Sequence, residues 1–132
     1  MNQGGSYSAQ FGFTAIPSSY INLSNSGGNS GAAVYGCWIG SIGPTGGTGA
    51  VGNATGGILG QVAVVVDGVQ GPGTPFYIMG TSGWTGPVCV SAQNLIGGVA
   101  AGSHTLYAVI KKDAGDKQMY IYTSNMVGFS LG

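Results

Sequence analysis

His104 is the only histidine in the sequence. A serine nucleophile would need it beside a serine such as Ser103 or Ser124 and one of three aspartates, two of which, Asp113 and Asp116, sit together among lysines. No spacing joins such a set, so His104 is expected as a strand-edge residue with an ordinary hydrogen bond. Asp113 and Asp116 are also the only close carboxylate pair. Glycoside cleavage needs an acid partner held protonated by an apolar pocket, and a lysine-flanked turn supplies none. No Cys/His or Asp/Asn cluster has metal-ligand spacing. The chain therefore reads as a non-enzyme with no metal.

Gly47-Thr48-Gly49-Ala50-Val51-Gly52 fits the glycine pattern of dinucleotide-binding turns. That motif works only where a helix starts at the glycines and its amino terminus holds the pyrophosphate. Gly52, Gly56, Gly57 and Gly60 break any such helix, so no cofactor is expected. The same stretch contains four collagen-like triplets from Gly43 to Ala54, too few for a triple helix. It is expected to be one long Gly-rich loop, whose Pro44, Thr48 and Val51 are candidates for contact with a neighbour.

Aromatic residues are the remaining candidates for function. Trp38 alternates with Cys37 and Ile39 in an apolar run and is expected in the core. Trp84 lies in the turn-rich segment Thr81-Ser82-Gly83-Trp84-Thr85-Gly86-Pro87, and with Tyr77 it is a candidate for ligand or interface contact.

The elements that position these residues must be strands. Twenty-eight glycines and five prolines leave no stretch for a long helix, and between the breaks apolar and small polar residues alternate at period two. The pattern predicts strands at about 6–15, 19–24, 32–42, 60–67, 75–80, 87–92, 104–112, 117–123 and 126–131. The seventh also reads as a helix from Leu106, Val109 and Ile110. Asp67-Gly68 after Val62–Val66 marks a tight hairpin turn, and Asp113-Ala114-Gly115-Asp116 marks a solvated hairpin tip. The expected fold is a single all-β domain over residues 1–132, a two-sheet antiparallel sandwich of jelly-roll type.

Charge narrows the partners. Only 5% of residues are charged, with neither Glu nor Arg, and net charge is zero. Of the six charged residues all but Asp67 fall between Lys111 and Lys117. Nucleic acid and anionic membranes are thereby excluded as long-range partners, while a neutral surface favours association with other protein chains. The amino terminus lacks the basic start and apolar stretch of a signal peptide, and the longest apolar run, Val62–Val66, cannot span a bilayer. The chain is expected to be made in a cytoplasm and to stay soluble until it docks, with Cys37 and Cys89 as free, buried thiols.

From Pro87 to Leu131 the order of a small-residue turn, Ala101-Gly102-Ser103-His104-Thr105, an apolar strand, a charged hairpin and a closing strand resembles the carboxyl-terminal half of tumour-necrosis-factor-like β-sandwiches of phage virion proteins. Gly60 to Gly71 is compatible with an earlier part of that pattern. The resemblance implies an oligomer, a trimer in most members, that decorates a capsid or tips a tail fibre. A chain starting at Met1 with one domain and no fibre shaft suits the first role. The expectation is a head decoration protein on the virion surface, docking on capsid subunits and stabilising them without catalysis. The alternative is a carbohydrate- or receptor-binding module at a fibre tip, with Trp84 and nearby tyrosines stacking on sugar rings.

Overall fold

The computed structural model describes residues 12–16, 18–25, 32–44, 58–78, 87–114 and 119–131. They form nine strands: β1 (Thr14–Ala15), β2 (Ile21–Asn25), β3 (Ala32–Pro44), β4 (Ile58–Val66), β5 (Val69–Gln70), β6 (Thr74–Ile78), β7 (Val88–Val99), β8 (Gly102–Ala114) and β9 (Met119–Leu131). All pairings are antiparallel. In the larger sheet β8 pairs with β1 and β2 on one side and β4 on the other, and β4 carries β5 and β6 on its far edge. The smaller sheet is β7-β3-β9. The chain changes sheet from β2 to β3, β3 to β4, β6 to β7, β7 to β8 and β8 to β9, which is jelly-roll connectivity.

Period-two alternation produces this arrangement because one face of each strand must leave water. Val34, Trp38 and Ile42 point inward from β3, Val90 and Ala92 from β7, and Met126 from β9. They meet Val62, Val64 and Val66 of β4, Phe76 and Ile78 of β6, and Leu106 and Ala108 of β8. Trp38 is fully buried, as its alternation implies, and donates its indole N–H to Ser124 Oγ at 2.9 Å. On the opposite face of the larger sheet, Phe13, Ala15 and Tyr20 cover Ala63, Val65, Tyr107 and Val109. Ser19 pins this covering segment: its buried hydroxyl donates to Ile16 O at 2.7 Å and accepts the Ala108 N–H at 2.9 Å.

The Asp67-Gly68 turn forms as expected, with positive φ at both residues (49° and 80°) and Val66 paired with Val69. The seventh predicted segment is a strand, β8. Two expectations need correction. β7 continues through Gly97 and Gly98 to Val99, because its ladder to β3 extends to an Ala32–Val99 pair across a bulge. β9 is one strand rather than two, since Ser124 and Asn125 stay paired with Gly40 and Ile39.

The thiols also differ from expectation. Both are free, but Cys37 is half-buried and Cys89 exposed, since odd-numbered positions of β3 and β7 face away from the core. Residues 1–11, the segment 45–57 with Thr48 and Val51, the segment 79–86 with Trp84, and the hairpin residues 115–118 with Asp116 lie outside the described residues. Among the described residues no helix is long and apolar enough to cross a membrane.

Candidate functional site

A groove of about 370 Å³ lies between β6 and β7. These strands belong to different sheets and approach one another at an open side of the sandwich. Among the described residues β6 pairs only with β4 and β7 only with β3, so each presents its other edge to the groove without a partner strand.

The side chains follow from the pleat. Phe76 and Val90 turn inward, are buried and form an apolar floor. Tyr77, 56% exposed, and Pro75 turn outward from β6, and Cys89 and Ser91 turn outward from β7. Thr74 adds a second hydroxyl. Among the described residues, no charged side chain and no histidine lines the groove. Such a lining offers an aromatic face, hydroxyls and backbone hydrogen-bonding groups, with no titratable acid–base pair near an apolar wall.

The residues singled out from sequence are scattered. Tyr77 lies in the groove, paired across the ladder with Leu59. Pro44 ends β3, the central strand of its sheet, paired with Met119 of β9. Trp84, Thr48 and Val51 are outside the described residues. Sequence reasoning did not find Pro75, Cys89 and Ser91. The outward parity of Pro75 and Ser91 was available, but their neighbourhood depends on which strands end up at sheet edges.

His104 is not the strand-edge residue expected. It is buried, its Nδ1 meets Asp67 Oδ2 and its Nε2 meets Ala100 O at 2.9 Å. Both ring nitrogens are therefore engaged and neither is left for a serine. Asp67 also takes the Thr105 N–H on Oδ1 at 2.9 Å and donates its own N–H to Thr105 O at 2.9 Å, so the cluster clamps the β4–β5 turn onto β8. Ser124, the other serine considered, is engaged by Trp38.

Among the described residues two titratable groups shift, both outside the groove. The Asp113 carboxyl is held below the usual carboxylate range by Lys111, whose Nζ lies 3.0 Å away, and by the Gln61 amide at 3.0 Å. The Tyr35 phenol is raised above its ordinary value, chiefly through its hydrogen bond with Cys37 and then by desolvation. Among the described residues no group of three His, Cys, Asp or Glu side chains gathers to hold a metal.

No protein-family model matches the chain, and no curated protein matches it. Among solved structures it is similar to the EclA C-terminal domain, described as a sugar-binding protein, with a TM-score of 0.38, 12% identity, and coverage of 96% of this chain and 89% of that one. A family 35 carbohydrate-binding module from an environmental isolate gives a TM-score of 0.34 and 20% identity over 96% of this chain and 88% of the other. A family 16 carbohydrate-binding module gives 0.24 and 13% identity over 89% and 86%.

Proposed function

We propose that the chain is a non-catalytic binding module that takes a neutral carbohydrate in the groove between β6 and β7. One observation carries this reading: among the described residues, an uncharged groove places an exposed tyrosine beside two strand edges that have no partner strand. A pyranose ring has an apolar C–H face and a polar rim of hydroxyls. The face stacks on Tyr77, and the hydroxyls exchange hydrogen bonds with Thr74, Ser91 and the edge backbone. No cation among the described lining residues offers acidic sugars a counter-charge, so neutral glycans are preferred.

A glycan array carrying neutral and acidic oligosaccharides tests this. Binding is expected only to neutral glycans, and Tyr77→Ala is expected to weaken it at least about tenfold, equivalent to roughly 1.4 kcal/mol. A silent array, or binding indifferent to Tyr77→Ala, rejects the reading. Docking on a virion shell, implied by the resemblance, draws on nothing in the groove. A docking role is favoured by a different surface, the outward face of the β7-β3-β9 sheet.

A further inference from the structure

Three cross-strand rows on that face form a grid centred on Cys37. Leu95, Tyr35 and Phe129 make the first row, Gln93, Cys37 and Val127 the second, and Ser91, Ile39 and Asn125 the third. Four of the nine are large hydrophobic side chains open to water: Leu95 (58%), Val127 (55%), Ile39 (52%) and Phe129 (44%). None of the nine is charged. Tyr35 and Phe129 rings sit 5.0 Å apart, and the Tyr35 hydroxyl donates to Gln93 Oε1 at 2.8 Å, so the aromatic row is held in place before any partner arrives. The larger sheet has its outward apolar cluster covered by Phe13, Ala15 and Tyr20, whereas this face stays exposed.

We infer that this face seats a second copy of the same chain, in a twofold dimer whose axis runs along β3 over Cys37. Area and charge both favour this occupant. At about 4.8 Å between strands and about 3.3 Å per residue, three strands of this length present on the order of 600 Å², which reaches the lower bound of roughly 600 Å² per partner for a specific interface. A chain with zero net charge and an uncharged face meets no repulsion from its own copy. An axis along β3 lays the apolar row on the apolar row. Leu95 then meets Phe129 of the partner subunit, and the two Cys37 thiols face each other across the roughly 10 Å that separates packed sheets. That spacing is too wide for a disulfide, and packing on both sides shields the two thiols from solvent. This inference stands apart from the carbohydrate reading, because a silent glycan array leaves it untouched.

The test is sedimentation of the full chain across a concentration series, with Val127→Lys and Leu95→Glu beside it. A dimer is expected for the unaltered chain and loss of the dimer in both variants, with unchanged circular dichroism and unfolding midpoint. Because both positions point outward, either variant that fails to fold leaves the other to decide. In a Cys89→Ser background with excess N-ethylmaleimide, labelling of Cys37 is expected to be fast at dilutions where the chain is monomeric and slowed severalfold where it is dimeric. A monomer at every concentration, a dimer that survives both charges, a trimer, or Cys37 labelling that is equally fast at both concentrations each overturns the inference.

Discussion

Leu106 inserts its side chain opposite Gly36: a Cβ added at Gly36 would lie 2.7 Å from Leu106 Cδ2, and one at Gly128 would also lie 2.7 Å from that atom. Gly36 and Gly128 are ladder partners on β3 and β9, so the two glycines form one socket for a fully buried leucine of the other sheet. Gly36→Ala is therefore expected to destabilise the fold by about 1–3 kcal/mol through overpacking. In denaturant titrations, Leu106→Ala combined with Gly36→Ala should lose less than the sum of the two single changes. Strict additivity would show that the socket does not exist.

Asn94 ties the sheets together from β7, donating through Nδ2 to Val64 O at 3.1 Å and Val69 O at 3.0 Å. Asn94→Leu removes both bonds from a buried position, and the expected cost is about 1–3 kcal/mol. Asn94→Asp is expected to be at least as damaging, because it turns a carboxylate oxygen toward two carbonyls. An unfolding midpoint unchanged in both variants would remove this residue from the account.

The His104–Asp67 clamp predicts a separation between two variants of Asp67. Asn tolerates the positive φ of 49° that the turn requires, so Asp67→Asn keeps the backbone and one acceptor oxygen while the charge and the second acceptor are lost. Asp67→Leu also strains the turn, and is expected to unfold at lower denaturant than Asp67→Asn. His104→Ala should cost about 1–3 kcal/mol, because Ala100 O and Asp67 both lose a buried partner. Equal stability of all three with the unaltered chain contradicts the clamp.

Acid should act through Asp113. Its folded pKa is depressed, so the stability it contributes is present above the ordinary carboxylate range and is lost as pH falls through the lowered value. The effect is small because the pair faces water. Below about pH 4 the stability difference between the chain and Asp113→Asn should shrink, as measured by chemical denaturation across pH. A difference that persists undiminished into strong acid speaks against the Lys111 and Gln61 contacts as its cause.

The fold was largely readable from local signals. Period-two runs marked the strands, and Asp67-Gly68 marked a turn whose geometry demands residues that accept positive φ. Where the reading failed, pairing overrode propensity. Gly97-Gly98 looks like a break, and yet ladder hydrogen bonds to β3 carry β7 past it. Ser124-Asn125 looks like a turn, and yet Ser124 is held inside by the Trp38 indole. Tyr77 was legible as an aromatic beside turn residues. The groove was not, because it is made where edges of two sheets meet, and sheet order leaves no mark on the alternation of a single strand. Both thiols were misjudged for a related reason: Cys37 and Cys89 sit in apolar runs, but their parity faces outward.

The carbohydrate reading is tested most directly by amide chemical-shift mapping of the folded chain titrated with neutral gluco-, galacto- and manno-oligosaccharides. Saturable shifts are expected for at least one of them, confined to Thr74–Ile78 and Val88–Ser91, and absent in a folded Tyr77→Ala variant. Uronic-acid oligosaccharides of the same length should leave the spectrum unchanged. No shift with any neutral oligosaccharide, or saturable shifts that fall on another face and persist in Tyr77→Ala, would contradict the groove as a carbohydrate site.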